Sequence, residues 1–327
     1  MKSLGLLALL LLGSVLTRAS CATPLQLEYQ IPLGDIRGRI DHLAIDVGRQ
    51  RLFVAELGND TVGVLDLRSR RALRTLVGFQ APQGVAYDSP TDMLYVANAG
   101  DGSVRLFRGP DLTPAGQIAL GDDADNVRVD EVRHRVLVGY GHGFLAVIDP
   151  STRSKIADVR LKGHPESFQL DSSGRFSYVN VPDAREIAIV DLAVNRQTDA
   201  WTTADLRANY PMVLDEGHQR VIAVFRRPAV LGVFRAAGGA LLASVPTCAD
   251  ADDVFLDKKR DRLYVICGGG FVDVFERRGW AYQSKERIPT SSGARTGLFM
   301  PELDRLVVAI HASIGKPAAI WILRPAD

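Results

Sequence analysis

Four short runs concentrate carboxylates, amides and imidazoles beside apolar residues: DHLAID at 41–46, DADNVRVD at 123–130, HPESFQLD at 164–171 and DADDVFLD at 250–257. Two chemistries can be built from them. In the first, Arg39, Arg207 and Arg295 grip a carboxylate or phosphate through paired N–H donors, while Asp41, Asp125, Glu166 and Asp252 take amines or hydroxyls. In the second, Glu56, Asp125, Asn126, Asn180, Asp252 and Asp253 offer oxygen ligands to a hard cation, and His42, His164 and His311 would instead favour zinc or copper. Asp125, His164, Asp252 and His311 are the leading metal candidates. A bound divalent metal would polarise a carbonyl while His164 or Glu166 acts as general base. Because these ligands are scattered with no fixed local spacing, binding is preferred over catalysis. The plain alternative is that Asp and Asn at strand starts only cap turns.

These residues are held by a repeat. The stretch Arg39 to Asp66 reads as apolar run, polar turn, apolar run and loop, a three-strand meander. The equivalent of Asp46 recurs at Asp88, Asp130, Asp171, Asp215 and Asp257, and at Pro301, with gaps of 42, 42, 41, 44, 42 and 44 residues. A period of that length, made of short strands and Gly-rich turns, predicts an all-β, seven-bladed β-propeller. The second strand of each copy (LFVA, LYVA, VLVG, FSYV, VIAV, LYVI, LVVA) is apolar without alternation, as expected of a strand covered on both faces. LQLEYQIP at 25–32 resembles the fourth strands elsewhere, and the seventh repeat runs out at Leu323 without one. The N-terminal strand is therefore expected to complete the last blade and close the ring.

In a propeller, first strands begin on the rim where second strands end. Two sets of equivalent positions should then meet at one mouth of the channel. Asp41, Gln83, Asp125, Glu166, Tyr210, Asp252 and Thr296 lie five residues before each anchor; Glu56, Asn98, Tyr140, Asn180, Phe225, Cys267 and His311 follow the second strands. His42, His142, His164 and His311 map to this rim, whereas His134 and His218 fall in turns on the other. Backbone capping alone would favour one residue type in every copy, and these copies diverge.

The run of YVAN-like strand ends, LYVANAGDGSVRLF above all, resembles the YVTN or YncE-like family of secreted bacterial seven-bladed propellers, over all seven repeats. That resemblance implies fold more than function, since the family mixes binding proteins with relatives of lactonases. A lactonase-like hydrolase or lyase at the same mouth is the corresponding enzymatic alternative.

Lys2, the apolar segment Leu4 to Leu16 and the small residues Ser20 and Ala22 read as a signal peptide over 1–22. A single propeller domain over 23–327, periplasmic or secreted and monomeric, is then expected, with no transmembrane helix in the mature chain. Lipid attachment at Cys21 is disfavoured by Arg18. Cys248 and Cys267 could pair, but two free buried thiols are the preferred reading, because sequence does not bring their Cα atoms together. With 39 basic and 38 acidic residues and no basic run, nucleic acid is not an expected partner. A small polar ligand, a peptide or a partner protein is. GYGHG and CGGGF lie between strands rather than opening a helix, so no phosphate loop is present. HExxH, CxxC, CxxCH and a nucleophile elbow around Ser167 or Ser313 are also missing.

Overall fold

The structure, a computed structural model, describes residues 23–327; the expected signal peptide and Cys21 lie outside the described residues. Seven four-stranded antiparallel sheets follow one another, and the chain is a seven-bladed β-propeller. Second strands such as Met93–Asn98 and Arg262–Cys267 are buried along their whole length, because neighbouring blades cover both faces. Fourth strands such as Arg71–Val77 face solvent. Seven apolar clusters lie one to each interface between adjacent blades. One joins Leu52 and Val54 of the first blade to Val307 and Ile320 of the last.

The repeated Asp is turn chemistry. Asp46 accepts the Arg49 backbone N–H at 3.0 Å, Asp130 that of Arg133 at 3.1 Å and Asp257 that of Lys259 at 3.1 Å, which fixes the hairpin between first and second strands. These turns pass through left-handed backbone at Gln50, Asp92, His134, Gln219, Asp261 and Asp304.

The ring closes as the sequence predicts. Leu25–Pro32 pairs antiparallel with Ala319–Pro325, completing the sheet of Gly297–Met300 and Arg305–Ile310. The third strand of that blade runs past Leu323 to Pro325.

One expectation is corrected: Cys248 and Cys267 form a disulfide, with Cα atoms 5.9 Å apart. The first strand of the sixth blade starts by pairing Ala251 with Cys267, so the incoming loop carries Cys248 back over the end of the second strand. Among the described residues no helix is long and apolar enough to cross a membrane.

Candidate functional site

The seven first strands line a central channel of about 440 Å³, whose wall includes His42, Ile45, Arg128, Val213, Asp253 and Phe255. Because side chains alternate along a strand, each first strand gives this wall every second residue and its neighbouring blades the others. At the strand starts the polar residues gather into one mouth.

Asp125 stands between two imidazoles. Its Oδ1 is 3.9 Å from His42 Nε2 and its Oδ2 is 3.8 Å from His164 Nε2. The His164 ring is oriented from behind by Nδ1, 2.7 Å from the Gly141 carbonyl, which turns Nε2 toward the mouth. Asp41 lies on the other side of His42, at 3.8 Å, and meets the Arg39 guanidinium at 2.8 Å. The opposite side of the mouth is a guanidinium cluster. Arg226 bonds the Ala251 carbonyl at 3.0 Å and the Asp252 carboxylate, and stacks over the Tyr210 ring with 4.0 Å to its centroid. Arg295 reaches Asp250 at 3.1 Å and Asp252 at 3.7 Å.

The electrostatics follow from burial and crowding. Burial pushes Glu166 up to about 8, helped by repulsion from Asp125 and Asp252 and opposed by His164 and Arg226. Burial likewise raises Asp41 to about 7 against the pull of Arg39, and Asp252 to about 6 against that of Arg226. For His164 burial works downward, but the pairing with Asp125 and the Gly141 bond win and carry it to about 9. Burial also works on Asp125, yet His164 and His42 hold its carboxyl below the usual range. Burial lowers His42 from its ordinary value, opposed by Asp125.

Not every residue singled out in the sequence reaches this mouth. Arg39, Asp41, His42, Asp125, His164, Glu166, Asp252 and Arg295 are gathered there through direct ion pairs or charge interactions. Gln83 touches the edge, 3.4 Å from Asp123. Asn126 is buried and its Oδ1 lacks a partner, while Asp253 accepts the Gly297 N–H at 2.8 Å. His311 accepts the Ile40 N–H at 3.3 Å and so braces the backbone between Arg39 and Asp41. Three residues after second strands turn inward instead. Glu56 takes the Thr61 hydroxyl at 2.6 Å, Asn98 donates to Val96 and Ser103, and Asn180 holds the Tyr210 carbonyl at 2.9 Å. Arg207 is exposed and paired across the strands with Arg227, and has no acidic partner among the described residues. His142 is also exposed, 3.7 Å from Asp122. Of the metal candidates, Asp125 and His164 are neighbours, Asp252 is held by guanidinium groups and His311 by backbone. Among the described residues no three His, Cys, Asp or Glu side chains form a ready metal cluster.

Arg226 and Arg128 were not singled out. Arg226 lies one residue beyond Phe225, the position the repeat selects, and Arg128 is the channel-facing residue three after Asp125; strict alternation from Asp125 would have pointed to Val127, and the bulge between Ala124 and Val127 resets the parity.

No family model and no curated protein match the chain. Solved structures do match. A chain of hydrazine synthase from Kuenenia stuttgartiensis superposes with a TM-score of 0.76 at 15% identity, covering 88% of this chain and 95% of that one. A chain of the mitotic checkpoint complex superposes with a TM-score of 0.77 at 14% identity, covering 100% of this chain and 99% of that one. At such identities the likeness is one of fold.

Proposed function

We propose that this chain is an exported propeller of the YVTN or YncE-like kind, a single domain over 23–327 behind a leader at 1–22, acting as a monomer in the periplasm or outside the cell. Its work is to bind a small polar ligand, a peptide or a segment of a partner protein at the polar mouth of its channel. The observation that carries this is Glu166. Its carboxyl is crowded by Asp125 and Asp252, yet no group among the described residues hydrogen-bonds it. Half-buried and open to the mouth, it keeps its acceptors free for something that arrives. The Cys248–Cys267 disulfide suits an oxidising compartment, and a propeller chain in a multiprotein complex is a precedent for partner binding on this fold.

A thermal-shift screen of amino acids, amines, polyols, short peptides and divalent metal salts tests the reading. Compounds at about a hundredfold over Kd should raise the parent midpoint by about 5 °C and the Glu166→Gln variant by about half of that or less. A response confined to metal salts favours the hydrolase or lyase alternative. Equal shifts in both proteins, or none in either, would remove the mouth as a binding site.

A further inference from the structure

The free hydrogen-bonding capacity of the mouth is not balanced. On one side the guanidinium groups are ion-paired, Arg39 with Asp41 and Arg226 and Arg295 with Asp250 and Asp252, and among their buried donors Arg295 Nε is without a hydrogen bond, 3.7 Å from Asp252. On the other the acceptors are open. Asp125 is 7% exposed and its Oδ1 has no hydrogen-bond partner, with His42 no nearer than 3.9 Å. The Glu166 carboxyl, half-buried and open to the mouth, accepts no hydrogen bond from a described residue. Leaving a buried carboxylate oxygen unpaired is costly, so a group that brings only donors is favoured there. An ammonium is such a group.

Below this pair the channel changes character. Its wall carries Val213, Phe255 and Phe299, which suit a methylene chain. Arg128 faces the same space; it lies over the Phe168 ring, 5.5 Å from the centroid, and hydrogen-bonds only the Val127 carbonyl, at 2.9 Å. Among the described residues no acid reaches it at ion-pair distance; Asp253 and Asp125 act on it only from farther off. Three residues of strand separate Asp125 from Arg128, about 10 Å at full extension and less here because the strand bulges between Ala124 and Val127.

We infer that the mouth takes a short ω-amino acid or a lysine-like side chain with a terminal carboxylate, its ammonium between Glu166 and Asp125 and its carboxylate on Arg128. The inference deepens the binding role proposed above and rests on it. Glu166 is faced by Asp125, His164, Asp252 and Arg226, and Arg39 and Tyr210 also feel its charge. A proton on Glu166 stands where the ammonium would go, so binding releases it and tightens as pH rises from 6 to 9.

Calorimetry with 5-aminovalerate, pentylamine and valerate reads this out. The parent should bind 5-aminovalerate best. Glu166→Gln should weaken 5-aminovalerate and pentylamine by about ten-fold or more, the worth of one charged hydrogen bond. Arg128→Gln should weaken 5-aminovalerate comparably and leave pentylamine unchanged. Heat of binding measured at pH 7 in buffers of different ionisation enthalpy should show proton release in the parent and less in Glu166→Gln. If the parent prefers valerate, or if Glu166→Gln binds 5-aminovalerate as well as the parent does, the inference is overturned. Should other compounds of the screen still give Glu166-dependent shifts while all three probes fail, the ligand class falls and the binding role stands. Should nothing bind, both fall.

Discussion

Deletion of residues 23–33 is expected to lower the thermal unfolding midpoint by about 10 °C or more. The strand they form is paired along its length with Ala319–Pro325, and it buries Leu25, Ile31 and Leu33 against the blades on either side. Each such side chain contributes about 1.5–3 kcal/mol through burial, and a domain of this size loses about 2 °C or more per kcal/mol. The Arg305–Glu28 ion pair is lost as well, although an exposed pair adds little. More important is the edge. Without its partner Ala319–Pro325 presents unpaired N–H and C=O groups, an invitation to aggregation. Differential scanning calorimetry checks the outcome, and an unchanged midpoint would contradict closure of the ring by the N-terminal strand.

The second large effect concerns pH. Glu166→Gln is expected to be more stable than the parent at pH 9, by about 5 °C, and close to it at pH 5. The sign follows from linkage. In the unfolded chain a glutamate ionises near its ordinary value of 4.5, whereas the folded protein keeps the Glu166 proton until about 8. Between those values the folded state holds more protons, so stability falls as pH rises, at no more than about 1.4 kcal/mol per pH unit for this group. Asp41, raised to about 7, acts in the same direction. His164, raised to about 9, contributes stability that is complete below pH 6.5 and fades as pH climbs through 9. A glutamine carries no such proton, so the variant escapes one part of the slope and keeps the rest. Unfolding midpoints at pH 5, 7 and 9 for both proteins decide the matter; parallel pH profiles would mean that Glu166 ionises freely in the folded state.

Much of this architecture could be read from the chain because a propeller repeats its physics. Each blade needs a buried second strand and a capped hairpin, so apolar runs and turn-forming Asp residues recur with the period of one blade. The fourth strand at the N-terminus was legible by elimination, since the seventh copy lacked its own. The mouth was legible only in half. Residues at first-strand starts, such as Asp125, Glu166 and Asp252, do converge, because those strands line the axis. Residues after second strands, such as Glu56, Asn98 and Asn180, lie one layer farther out and spend their polar atoms inside or between blades. A repeat alignment fixes the height of a residue along the axis and leaves its radial direction open. That is also why Arg226 escaped notice: its side chain leaves the second strand and crosses to the next blade's Asp252. The disulfide was hidden for a related reason, as it depends on where one loop between blades folds back.

Carboxyl ¹³C NMR of the glutamate-labelled protein, with Glu166 assigned by its loss in Glu166→Gln, measures the heart of this account. The Glu166 resonance should titrate with a midpoint near 8 in the free protein, and the midpoint should fall when 5-aminovalerate is added. A free-protein midpoint near the ordinary 4.5, unmoved by the ligand, would contradict a mouth that holds a proton in place of a cation.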